Sequence, residues 1–110
     1  MTITIKEAHE QALKAAKEAA SNMPDGAYCG FAWVEVKGDM RKNIAKELKR
    51  AGFAPYTKGL LWLYNPSDAC TQSMDVKEAG AYAYADKFNE LVGGQLKAAG
   101  FRVYANSRPD

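Results

Sequence analysis

Metal-ligating and nucleophilic side chains are scarce in this chain: its only histidine is His9, and its cysteines are Cys29 and Cys70. Two thiols are too few for a disulfide framework, and their spacing fits neither CxxC nor a zinc-finger pattern. No metal site is expected, and neither a GxGxxG nor a P-loop motif calls for a cofactor. Long apolar runs are missing as well. The longest, Gly59 to Leu63, is far below the ~20 residues of a membrane-spanning helix, and MTITIKEAHE lacks the basic-then-apolar order of a leader. An intracellular, unprocessed protein with no membrane segment is therefore expected. An excess of one charge sign is also lacking, since 15 basic and 13 acidic residues leave a net charge of +2. That gives no global case for duplex DNA, so any charge argument has to be local.

What is present fits one globular domain: 110 residues, of which 47% are apolar and 25% charged. The reading places an N-terminal helix in residues 1–22 and an α+β unit in residues 27–110. Thr4 and Glu7 form a capping box ahead of a helix over Ile5 to Ser21, with Ile5, Ala8, Ala12, Leu13, Ala16, Ala19 and Ala20 on its apolar face. Turn chemistry in Asn22 to Gly26 leads to a strand over Tyr28 to Lys37. Alternation sets Ala32, Val34 and Val36 against Phe31, Trp33, Glu35 and Lys37. Asp39 is the expected cap of a helix over Met40 to Ala51, closed by Gly52.

Phe53 to Thr57 reads as a short strand that Pro55 assigns to an edge, followed by a Lys58-Gly59 turn and a return strand over Leu60 to Asn65. Asp75 and Glu78 repeat the capping pattern before a helix burying Gly80, Tyr84, Phe88 and Leu91. Gly93-Gly94 costs about 2 kcal/mol of helix propensity and is expected to kink or break that helix. Phe101 to Asn106 is the last strand, and Ser107 to Asp110 is a frayed tail or a short partner-binding one. LKRAGFAPY and LKAAGFRVY mark one helix, glycine cap and strand unit used twice. After the first helix the order is βαββαβ. It predicts an α+β, ferredoxin-like antiparallel sheet with two helices on one face, preceded by an extra N-terminal helix.

In such a plait the first and third strands are central, so their outward side chains converge. Phe31, Trp33, Trp62 and Tyr64 would share a face with Arg102, Tyr104 and Asn106, edged by Lys37 and Lys58. Aromatics with cations at their margin suit single-stranded nucleic acid, where stacked bases contribute about 1–3 kcal/mol each. The same face suits a partner protein, a second copy of the chain, or coverage by the N-terminal helix. A second candidate surface is the basic stretch Arg41, Lys42, Lys46, Lys49 and Arg50, which would meet phosphate or an acidic protein. Cys29 is the nucleophile candidate of a cysteine-dependent enzyme, but it precedes a strand rather than a helix. His9, the one imidazole able to activate it, falls on an alanine-rich helix face where a buried, hydrogen-bonded histidine is the commoner arrangement. No catalytic residue is assigned.

CGFAWV at Cys29 to Val34, QSMDVKEAGAYAYA at Gln72 to Ala85 and the ending VYANSRPD at Val103 to Asp110 together resemble a group of small tailed-bacteriophage proteins. The resemblance covers Tyr28 to Asp110; the chain departs from it in carrying NELVGG, Asn89 to Gly94, where a shorter helix is expected. It implies a setting rather than a reaction: the cytoplasm of an infected bacterial host, and a non-enzymatic accessory protein that binds a host or defence protein.

Overall fold

The computed structural model describes residues 3–22, 30–57, 59–66 and 74–109. Three helices and four strands follow in the order α1 (Ile5–Ser21), β1 (Gly30–Lys37), α2 (Asn43–Ala51), β2 (Ala54–Thr57), β3 (Leu60–Tyr64), α3 (Met74–Ala98) and β4 (Arg102–Pro109). The strands form one antiparallel sheet in the order β2-β3-β1-β4. Both long central registers therefore run through β1. Its alternation is as expected: Ala32, Val34 and Val36 are fully buried on one side, while Phe31 and Trp33 are half-buried and Lys37 is exposed on the other.

A single apolar core lies on the Val34 side. It joins Leu61 of β3, Ala45 and Leu48 of α2, and Ala81, Tyr84, Phe88, Val92 and Leu96 of α3. Helix α1 belongs to this same core through Ile5, Ala8, Ala12 and Ala16. Alanines at these positions let its backbone approach α3 closely, so α1 joins the helical layer. The option of α1 covering the aromatic face is excluded for the described residues.

Several local expectations need correction. Thr4 does cap α1, its hydroxyl accepting the Glu7 N–H at 3.1 Å, but Asp39 does not cap α2. Its carboxylate accepts the Arg41 backbone N–H at 3.0 Å and both Nε and Nη2 of the Arg41 guanidinium at 3.1 Å. That grip closes a turn over residues 39–42, so α2 starts at Asn43 and its N-cap, Lys42, makes no side-chain cap bond. Asp75 likewise lies inside α3, which already begins at Met74, and so is not its cap. Gly93 and Gly94 do not interrupt α3. Val92 and Leu96 on either side of them are buried at 2% and 1% exposure, and each such side chain contributes about 1.5–3 kcal/mol by burial, which outweighs the glycine cost.

Up to Pro109 the C-terminal segment is paired rather than frayed. β4 continues to Pro109, with Arg108 opposite Phe31 and Pro109 opposite Gly30. β2 is an edge strand, as Pro55 requires, and its register slips between Pro55 and Thr57. Tyr28, Cys29, Lys58 and Cys70 lie outside the described residues. Among the described residues no helix is long and apolar enough to cross a membrane.

Candidate functional site: an aromatic sheet face

The face of the sheet opposite the helices collects the side chains that alternation assigns to it. Trp33 and Trp62 meet edge to face with centroids 6.1 Å apart, Trp62 and Tyr64 at 5.8 Å, and Phe31 and Tyr64 at 6.0 Å. These separations suit favourable aromatic pairs, each worth about 0.5–1.5 kcal/mol beyond area burial. Tyr56 joins them, stacked on Trp62 at 4.5 Å. It is the residue at the register slip of β2, and a bulge of this kind re-aims a side chain. Tyr56, Tyr64 and Tyr104 remain 51%, 43% and 40% exposed, a high value for side chains of this size.

Glu35 sits in the middle of this face with only 8% of its surface exposed. Trp33 Nε1 donates to its Oε1 at 2.7 Å, and Tyr104 and Asn106 also bond the carboxylate. Burial pushes the carboxyl pKa up, but the donors Tyr104, Trp33 and Asn106 outweigh it and hold the group below its ordinary value. The same contact with Glu35, followed by burial, raises the Tyr104 phenol. Among the described residues the face thus carries a carboxylate, Glu35, that accepts from donors within the chain.

Cations stand at both ends. Arg108 lies over Phe31 at 6.0 Å and Lys77 at 5.5 Å, while Lys37 and Arg102 face each other across β1 and β4 at the far end. From Arg102 to Arg108 is six residues of strand, about 20 Å at ~3.3 Å each. Between them Phe31, Trp33, Tyr56, Trp62, Tyr64 and Arg108 line a hollow of about 230 Å³.

Structure and sequence expectation agree on Phe31, Trp33, Trp62, Tyr64, Arg102 and Tyr104, which do share one face. Tyr56, Arg108 and Lys77 lie beyond that expectation: Tyr56 shares the alternation side of Ala54, which pairs with Trp62, while a strand extension and the start of α3 supply the other two. Alternation puts Glu35 on this face without giving it a role; a carboxylate two residues from a tryptophan on a central strand is the available signal.

The basic stretch is not one surface. Arg41 is paired with Asp39, and the Lys42 amine donates to the Ala99 carbonyl just past the C-terminal end of α3. Lys46, Lys49 and Arg50 are exposed on α2, which packs on the core side of the sheet through Ala45 and Leu48. A flat partner cannot reach these three and the aromatics together.

His9 is occupied in the core. Its Nδ1 shares a hydrogen bond with the Tyr84 hydroxyl, its ring packs edge-on to Tyr84 at 5.6 Å, and Phe53 lies 6.1 Å away. Burial lowers the imidazole pKa against a smaller opposing effect of Glu10, and burial raises the Tyr84 phenol. Among the described residues no three His, Cys, Asp or Glu side chains converge as metal ligands. No protein-family model matches the chain. No curated protein and no solved structure matches it either.

Proposed function

We propose that the protein is a non-catalytic binding protein that docks a partner protein on its aromatic sheet face. The observation that carries this reading is the side on which α1 packs. With all three helices in one layer, no described element covers Trp33, Trp62, Tyr56 and Tyr64, and an apolar patch with aromatic anchors is the usual mark of an interface. The βαββαβ order with central β1 and β3 is read as a ferredoxin-like plait to which α1 has been added. The resemblance to small tailed-phage proteins supplies the setting: an accessory protein in the infected bacterial cytoplasm, with a host or defence protein as partner. The partner would present apolar or aromatic side chains to the hollow and carboxylates to Arg108 and Arg102. Trp33→Ala and Trp62→Ala should each abolish co-purification of a stoichiometric partner, while exchanging Lys46, Lys49 and Arg50 for glutamine leaves it intact. Retention of the partner by both tryptophan variants would end this reading.

Single-stranded nucleic acid is the second reading, favoured by the cations at both ends of the aromatic row. It predicts strongly salt-dependent quenching of tryptophan fluorescence by oligonucleotides, and a flat titration at low salt excludes it. A second copy seated face to face is a third occupant, read out by a mass that doubles with concentration. A cysteine-dependent enzyme has less support, because His9 already bonds Tyr84.

A further inference from the structure

Lys37 and Arg102 are directly opposed in the β1–β4 register, and both are exposed. Like charges in facing positions of a sheet repel and destabilise it, yet among the described residues neither cation has a carboxylate partner. The two nearby carboxylates are committed elsewhere: Asp39 is held by the Arg41 guanidinium and backbone N–H, and Glu35 by Trp33, Tyr104 and Asn106.

The pair borders a hollow of about 360 Å³ whose other lining among the described residues is Gly38, Gly59 and Gly100. Glycine is required at each position, by packing at Gly38 and by backbone conformation at the other two. A Cβ at Gly38 would fall 2.4 Å from the Phe101 ring, and Gly59 and Gly100 have φ of 80° and 85°. The floor therefore carries no side chains, and the Gly38 and Gly100 amides donate to the Gly59 and Lys97 carbonyls, so the charged side chains at the rim do the binding. A third cation stands at the margin, since the Lys42 amine lies 3.8 Å from the position of a Gly100 Cβ. Its bond to the Ala99 carbonyl fixes it there with further N–H groups to give.

We propose that this hollow at the Gly38 end of the sheet binds a phosphate-class oxyanion, held between Lys37 and Arg102 with Lys42 at its edge. An anion here removes the repulsion between the opposed pair, and the Arg102 guanidinium offers the fork geometry that phosphate oxygens accept. The site adjoins the proposed partner face and shares Arg102 with it, but it uses none of the rings and rests on the Lys37–Arg102 opposition rather than on the partner-protein reading.

The test follows backbone amide resonances of Gly38, Gly59 and Gly100 during titration with inorganic phosphate, against sodium chloride at matched ionic strength. Saturable shifts are expected with phosphate only, with at least tenfold weaker binding in Lys37→Gln/Arg102→Gln. The same double variant should melt higher than the parent at low salt, because its repulsion is gone, and phosphate should raise the melting temperature of the parent alone. A second arm adds a short single-stranded oligonucleotide. Displacement of phosphate assigns the oxyanion to a nucleic-acid backbone, and no displacement assigns it to a small phosphate compound. Shifts that fail to saturate, match those in chloride, or persist in the double variant would overturn the site.

Discussion

Replacing Gly94 with alanine should stabilise the protein, whereas the same change at Gly93 should not. Gly94 is an exposed position inside α3, and a Cβ there meets no atom within 4 Å. Nothing opposes the intrinsic gain of about 0.8–1 kcal/mol that alanine brings to a helix interior. In a domain of this size that corresponds to a rise in Tm of about 3–8 °C. At Gly93 a Cβ would lie 3.1 Å from Asn89 Oδ1 and 3.3 Å from its Cβ. Asn89 must move, and its amide is the donor to the Val103 carbonyl at 3.0 Å. Losing that bond costs about 0.5–1.5 kcal/mol, which cancels the propensity gain. Urea unfolding of the two variants reads the difference directly as a shift in midpoint at constant slope. An unchanged or lowered midpoint for Gly94→Ala would refute a continuous α3, because alanine gains nothing where a helix is broken.

Three further outcomes follow from buried polar groups. Tyr84→Phe leaves His9 Nδ1 without its partner in the core and should cost about 1–3 kcal/mol in urea unfolding, with little loss meaning that the bond is dispensable. The His9 pKa is lowered from 6.5 in the folded chain, so the unfolded chain binds the proton more readily. The contribution of His9 is then fully present above about pH 6.5 and is lost as pH falls below it, a slope that His9→Leu should remove from a Tm–pH profile. The Glu35 pKa is lowered from 4.5, so its contribution is present above that pH and disappears as pH falls through the folded value. Glu35→Gln should flatten the profile below pH 4.5 while leaving the histidine window unchanged.

Most of the architecture was legible from periodicity. The 3.6-residue stripe of α1 and the alternation of Ala32, Val34 and Val36 against Phe31 and Trp33 identified the core face correctly, because burial of those side chains is what fixes the elements. What was not legible was decided by tertiary competition. Asp39 had two uses, cap or arginine clamp, and the nearer guanidinium won. Gly93-Gly94 had a local cost that the buried Val92 and Leu96 overrode. The extension of β4 to Pro109 rests on pairing with the start of β1, far earlier in the chain, which no local pattern encodes. For the candidate site, the aromatic set followed from alternation, which also reaches Tyr56 once Ala54 is paired with Trp62, while Arg108 needed the longer strand.

The central claim is that the aromatic face is open in the free chain and closed by a partner. Hydroxyl-radical footprinting of Tyr56, Trp62 and Tyr64, on the free monomer and on the complex purified with its partner, tests it most directly. The expected result is oxidation of all three in the monomer and strong protection in the complex, with exposed Tyr82 on α3 equally oxidised in both. Protection of the three already in the monomer, or unchanged oxidation in the complex, would contradict it.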